Sequence, residues 1–161
     1  MILIAIGANL PSAVGPPRAT CEAALTALAS GGAVAVKQSR WFSTEPQPPS
    51  GQPSFVNGVA QLRTKLKPAE LLDLLHRVET AFGRERSVVN AARTLDLDLL
   101  DFDGLVQDGP PALPHPRMDG RTFVLLPLAD VAPVWRHPVS GRSVQELIAG
   151  IAQDQGVRPI L

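Results

Sequence analysis

Apolar and polar positions along this 161-residue chain repeat with two periods, and the switches between them mark its elements. Ile2 to Ile6 is a short apolar run closed by Gly7-Ala8-Asn9, which reads as a buried strand. Cys21, Ala24, Leu25 and Leu28 fall at i, i+3, i+4 and i+7. That spacing predicts a helix from about Pro17 to Ser30, stopped by Gly31-Gly32. Val34 to Phe42 and Phe55 to Arg63 are strand-like. In the second, Val56, Gly58, Ala60 and Leu62 share one face, and Phe55, Asn57, Val59 and Gln61 share the other. A second helix opens with Pro68, carries the stripe Leu71, Leu74, Leu75, Val78 and Phe82, and ends at Gly83. Thr94 to Phe102 alternates as a strand. Ser143 and Glu146 form a capping box ahead of Val144, Leu147, Ile148 and Ile151.

The order is strand, helix, strand, strand, helix, strand, followed by a Pro-rich connector and a last helix. It predicts an α+β fold, a ferredoxin-like βαββαβ sandwich in a single domain spanning 1–161, plus a C-terminal helix. The antiparallel sheet carries helices on one face and leaves the other open to a ligand. Ser43 to Ser54, Gly83 to Ala92 and Gly104 to Gly120 fit no element. Loops of that length inside a small domain are usually functional or disordered, and the Pro content of the first and third favours restraint.

Composition narrows the class. A hydrophobic content of 45% excludes a disordered chain, and fifteen basic residues against fifteen acidic ones argue against a nucleic-acid coat. Twelve of the fifteen cations are Arg, the side chain suited to forked contacts with phosphate or carboxylate. The single cysteine, Cys21, lies on an apolar helical stripe, so an inert buried thiol is expected and no disulfide is. No apolar run spans a bilayer, and the N-terminus lacks a basic signal region. A soluble cytoplasmic protein, without membrane or nucleic-acid partners, is the expectation.

The sharpest local pattern is Arg93-Thr94-Leu95-Asp96-Leu97-Asp98-Leu99-Leu100. On a strand Asp96 and Asp98 share a face, roughly 7 Å apart, while the leucines turn inward. Two like charges so close repel unless a cation separates them, and a hard ion such as Mg²⁺ takes carboxylate oxygens while keeping positions for water and phosphate. The competing reading is a solvated outer strand. Asp101 and Asp103 have the opposite parity and read as turn residues. Arg84, Arg86 and Arg93 precede the strand, and His115, Arg117 and Arg121 follow it. Beside a metal-holding pair they suit a polyphosphate, although each alone could pair with a surface acid. His115, between two prolines, serves a ligand role and a structural one equally well. His76, on an exposed helix side, and His137, in a turn, have weaker cases. No P-loop, GxGxxG, HExxH or GxSxG motif is present. Phe55 and Asn57 offer a stacking ring beside an amide, which suits a flat heterocycle.

These residues resemble the 6-hydroxymethyl-7,8-dihydropterin pyrophosphokinase family over nearly the whole chain. Arg93 to Leu100 looks like the core of its signature. Ile4 to Leu10, Phe42 to Pro46, Gln52 to Asn57, Leu113 to Met118 and Arg121 to Leu128 resemble further segments in the same order. The resemblance implies transfer of the β,γ-diphosphoryl group of ATP to the pterin's hydroxymethyl oxygen, releasing AMP, in folate biosynthesis. It implies two Mg²⁺ ions on Asp96 and Asp98, and a pterin held between Phe55 and Phe123 with Thr44 and Asn57 on its edges. It places Arg84, Arg86, Arg93, His115 and Arg121 on the phosphates, Arg84 and Arg93 among them catalytic, and Glu79 near the nucleotide. Catalysis would be positioning plus charge neutralisation, in a chain expected to act as a monomer.

Two departures stand out. Family members often carry Trp-Gly-Pro before the signature Arg, where this chain has Asn90-Ala91-Ala92, and Glu45 stands where some relatives have Pro. Ferredoxin-like sheets also serve as RNA-binding modules. Zero net charge, 4% aromatic residues and two acids on the open face weigh against that class. A carboxylate-pair hydrolase fits less well still, because acids at i, i+2 on one strand cannot flank a scissile bond.

Overall fold

The computed structural model describes residues 1–45, 51, 53–83 and 94–160. Its elements are β1 (Ile2–Ala8), α1 (Pro17–Ser30), β2 (Ala33–Gln38), β3 (Phe42–Thr44), β4 (Phe55–Thr64), α2 (Pro68–Ala81), β5 (Asp96–Phe102), α3 (Thr122–Val131), α4 (Val144–Ala149) and β6 (Val157–Pro159). The sheet runs β5-β1-β4-β3-β6, with β2 also paired to β4, and every pairing is antiparallel. If β2 and β3 are taken as one interrupted strand, this is the order expected of a βαββαβ sandwich.

The strand expected over Val34 to Phe42 is split. Pairing with β4 shifts between Ala35 and Lys37, and at Ser39 the N–H still donates to the Val59 carbonyl at 2.9 Å while the hydroxyl oxygen, not a backbone carbonyl, accepts the Val59 N–H at 2.9 Å. Trp41 then enters the core against Gly58, where a Cβ would stand 2.7 Å from the indole ring.

Helices α1 and α2 lie on one face of the sheet, as their stripes require. Cys21, Ala24 and Leu28 meet Leu71, Leu74, Leu75 and Val78 over Ile2, Ile4, Ile6, Ala60, Leu62, Leu97 and Leu99. Prolines at both starts preset φ where the backbone N–H is surplus, and Glu70 accepts from the Lys67 N–H at 2.8 Å. Gly83 ends α2 at φ +87, a conformation that L side chains rarely adopt. Burial pushes the Cys21 thiol up to about 12, so it is inert as expected.

The opposite face is covered at one end. A second cluster joins Leu3, Val59 and Leu100 to Val124, Leu125, Leu128 and Val131 of α3, and to Val144 and Leu147 of α4. Helix α3 lies where the sequence predicts only a Pro-rich connector. TFVLLPLADV is apolar except for Thr122 and Asp130 at its ends, too little polar contrast to mark a stripe, and Pro127 lies inside it. The helix persists because both its flanks are buried, and the proline removes only the N–H that would reach the Phe123 carbonyl. Helix α4 carries the expected box, with the Glu146 N–H on Ser143 Oγ at 3.1 Å and the Ser143 N–H on Glu146 Oε1 at 3.3 Å.

Asp101 corrects another expectation. Strand β5 continues to Phe102, and a one-residue shift opposite Leu3 and Ile4 makes Leu100 a bulge. The bulge reverses the parity, so Asp101 lies on the side of Leu3 and is buried. Its carboxylate accepts from Trp135 Nε1 at 2.8 Å and from the Gly104 N–H at 2.9 Å. Asp103 is the turn residue, at φ +54, and it meets the N-terminal ammonium at 2.7 Å.

A candidate active site on the open sheet face

The pairing register assembles the site. Across the uncovered end, Asp96 stands opposite Gly7, Gly7 opposite Asn57, and Asn57 opposite Phe42. In the neighbouring rows Asp98 faces Ala5, and Phe55 faces Thr44. Directly paired residues share a face, so Asp96, Asp98, Asn57, Phe55 and Thr44 are on one side, as the period-2 reading expects for the first four. One strand separates Asp96 from Asn57, a gap of roughly 10 Å. Its floor is Gly7 and Ala5, the smallest residues available. Gly7 is required there, because a Cβ would sit 2.7 Å from Asn57 Oδ1.

The Asn57 amide is buried, and its Nδ2 donates to Thr44 Oγ1 at 2.8 Å. That bond fixes the amide plane and aims Oδ1 toward Gly7. Together they form a hydrogen-bonding edge, with Phe55 half-buried beside it. Asn9, also buried, donates to the Pro53 carbonyl at 3.2 Å and so ties the end of β1 to the segment entering β4.

Asp96 and Asp98 are half-buried at the start of β5. Among the described residues no group of three His, Cys, Asp or Glu side chains comes together as a metal site. Among the described residues the donor set is two carboxylates over a small-residue floor. It fits a hard divalent ion that completes its shell with water and phosphate oxygens, and it does not fit a closed structural metal site. Glu79 is fully buried behind the same strand, where its carboxylate accepts the Leu97 N–H at 2.8 Å. Among the described residues β5 ends the sheet on that side, and Glu79 bonds its outer edge there and braces the residue between the two aspartates.

The cationic side comes from the segment after β5. The His115 N–H donates to the Leu100 carbonyl at 2.9 Å, which docks this loop against the strand. Nδ1 of His115 accepts from the Arg117 N–H at 3.2 Å, which leaves Nε2 to carry the N–H of the neutral ring. Burial first, then the Arg121 charge, hold this imidazole below its usual range; Asp96 pulls it upward, and Arg117 adds to the depression. His115 therefore feels Arg121, Asp96 and Arg117 together. The Arg121 guanidinium lies 5.5 Å from the centroid of the Phe123 ring, at the start of α3. Phe123 packs on the edge of the second cluster, next to the uncovered end of the sheet.

Most of the expected set is thus gathered: Thr44, Asn57 and Phe55 along one edge, Asp96 and Asp98 along the other, His115, Arg121 and Phe123 at the rim. Arg84, Arg86 and Arg93, and the Asn90-Ala91-Ala92 departure, lie outside the described residues. Arg117 is exposed. His76 is half-buried on α2, and His137 is structural, its Nδ1 accepting from the Val139 and Ser140 N–H groups at 3.2 Å. In the sequence Gly7 reads only as the close of a strand. Its position opposite both Asp96 and Asn57 is a matter of register, which no single strand shows.

Fold and face together define a class, an α+β domain whose open antiparallel sheet face carries two carboxylates, a fixed amide and an aromatic ring in adjacent rows. Comparison with known proteins names the family. Residues 3–133 match the model of 7,8-dihydro-6-hydroxymethylpterin-pyrophosphokinase. The chain is 44% identical over 152 residues to 2-amino-4-hydroxy-6-hydroxymethyldihydropteridine pyrophosphokinase of Pseudomonas aeruginosa, covering 92% of this chain and 90% of that one. It is 37% identical over 148 residues to the protein of the same name from Synechocystis, with 91% and 73% covered. The Bacillus subtilis protein of that name is 35% identical over 157 residues, with 96% and 92% covered. This chain belongs to the 7,8-dihydro-6-hydroxymethylpterin-pyrophosphokinase family, whose members transfer a pyrophosphoryl group to the hydroxymethyldihydropterin of folate biosynthesis.

Proposed function

We propose that this chain transfers the β,γ-diphosphoryl group of ATP to the hydroxymethyl oxygen of 6-hydroxymethyl-7,8-dihydropterin, giving AMP and the dihydropterin diphosphate. The observation that carries the reading is the row Asp96–Gly7–Asn57, a carboxylate and an amide flanking a bare glycine floor. The pterin lies over Gly7, its ring edge on Asn57 Oδ1 and the Thr44 hydroxyl, its face on Phe55 and Phe123. Because Arg121 covers one side of the Phe123 ring, the heterocycle takes the other side or displaces the guanidinium.

Asp96 and Asp98 would hold two Mg²⁺ ions, which would supply neutralisation of the triphosphate charge. His115 Nε2–H and the guanidinium groups of Arg121, Arg84, Arg86 and Arg93 take the remaining phosphate oxygens, Arg84 and Arg93 serving as catalytic groups by the family resemblance. The alcohol oxygen attacks the β-phosphorus, the bond from that phosphorus to the α,β-bridging oxygen breaks, and the alcohol proton leaves to solvent. The protein contributes positioning and charge stabilisation. Glu79 acts from behind β5, holding Leu97 and so the spacing of the two aspartates. No helix is long and apolar enough to cross a membrane among the described residues. We take the chain to work as a cytoplasmic monomer on these two small substrates.

The test is product identity. Purified protein with ATP, Mg²⁺ and the pterin should release AMP, and only when the pterin is present. ADP as product, or turnover without the pterin, would sink the reading.

A further inference from the structure

Helix α3 begins without a side-chain cap. The residue before it is Arg121, in extended backbone, and no side-chain oxygen from its own turn reaches the first N–H groups. A residue more than thirty positions away does so instead. Gln155 Oε1 accepts from the Thr122 N–H at 2.9 Å, and Gln155 Nε2 donates to the Gly120 carbonyl at 3.1 Å. One primary amide thus bonds the backbone on both sides of Arg121. Only a primary amide satisfies both ends, since a carboxylate has no N–H for the Gly120 carbonyl.

Gln155 is itself anchored. Gly156, at φ +71, turns the chain against Glu45, and the next residue is Val157 of β6. Val157 is buried and pairs with Thr44, Pro159 pairs with Phe42, and the Ile160 N–H reaches the Trp41 carbonyl at 2.9 Å. Asp154 takes the Gly156 N–H at 2.8 Å and Arg158 at 2.7 Å, which stiffens the same turn. The segment from Asp154 to Ile160 therefore grips the strand that carries Thr44 and, through Gln155, the turn that carries Arg121 and Phe123.

We propose that Gln155 is a positioning residue, and that its amide sets Arg121 and Phe123 at working distance from the Thr44–Asn57 edge. It touches no substrate and acts through the backbone of residues 120–122. The inference rests on the reading of the open face as the pterin and phosphate site. A structural strut would raise stability and leave the kinetic constants of folded protein alone. A positioning clasp changes them, because displacement by an ångström can cost up to ~100-fold.

The experiment compares the full-length protein with Gln155→Ala and Gln155→Glu, measuring kcat, KM for the pterin and Tm, with amide hydrogen exchange over residues 120–125. Gln155→Ala should lower kcat/KM for the pterin by roughly tenfold or more at a temperature where it stays folded, with faster exchange at Thr122 to Leu125. Gln155→Glu keeps the acceptor and loses the donor, so it should fall between the two; it also serves if the alanine variant fails to fold. In a Phe123→Ala background the effect of Gln155→Ala on pterin KM should largely vanish. Kinetic constants within twofold of wild type, or an undiminished effect in the Phe123→Ala background, would overturn the proposal. Absence of AMP formation by the wild type overturns the functional reading instead, and unchanged exchange at Thr122 to Leu125 would then overturn the clasp on its own.

Discussion

Asn57 Nδ2 donates to Thr44 Oγ1 at 2.8 Å, and the two residues lie on adjacent strands, diagonally across the uncovered face. The bond spends one N–H of a buried amide and orients its oxygen over Gly7, so the edge offered to a ligand is fixed before any ligand arrives. Thr44→Val keeps the shape and removes the acceptor. It should raise pterin KM about tenfold and cost about 1–3 kcal/mol of stability, the toll of a buried N–H left without a partner. Steady-state kinetics and urea unfolding check the two figures separately. An unchanged KM would mean that the amide is not held by this bond.

Asp98 pairs with Ala5 on the same face as Asp96. Asp98→Ala should reduce turnover by roughly 100-fold or more, the scale of losing an electrostatic group in a reacting site. Stability should move by no more than about 1 kcal/mol, because the position is half-buried and outside both core clusters. Raising Mg²⁺ should not restore the rate. Activity surviving this change would refute ion binding by the pair.

Asp101 shares the face of Asp96 and Asp98 but lies buried under Trp135, and so differs from them in consequence. Asp101→Ala leaves the indole N–H of Trp135 and the Gly104 N–H unpartnered, and should cost about 1–3 kcal/mol by urea titration. Turnover per folded molecule should stay near wild type. Trp135→Phe in the same background should lose less than it does alone, since the shared bond is already gone. A kcat deficit comparable to that of Asp98→Ala would put Asp101 in the site after all.

His115 supplies a pH dependence. Its folded-state pKa lies below the ordinary 6.5, through burial and the Arg121 and Arg117 charges. The fold therefore favours the neutral ring. That contribution is complete above about pH 6.5 and is lost as pH falls below it toward the depressed folded value. In metal-free buffer the urea midpoint should drop between pH 7 and 5. His115→Asn, whose amide oxygen replaces the Nδ1 acceptor of the Arg117 N–H, should flatten part of that slope. The same slope in both proteins would exclude His115 as its source.

Much of this protein is written in its periods. Strand parity alone puts Asp96, Asp98, Phe55 and Asn57 on one side, because side chains on a strand alternate without regard to what surrounds them. The stripes and caps of α1, α2 and α4 are local for the same reason, and their starts at Pro17, Pro68 and Val144 follow from residues one turn away. The motif order around Arg93 to Leu100 was enough to name the family that the comparisons show.

Where parity fails, tertiary structure decided. The bulge at Leu100 turns Asp101 inward to Trp135, because pairing with β1 rather than the sequence sets where the ladder slips. Helix α3 has only Asp130 as an exposed polar position to betray it, since the sheet and α4 bury most of the rest. Gly7 becomes a pocket floor only once β4 and β5 flank β1. Gln155 becomes a cap only once β6 has closed on β3. Local chemistry fixes which way a side chain points along its own element; only the packed chain fixes what stands opposite.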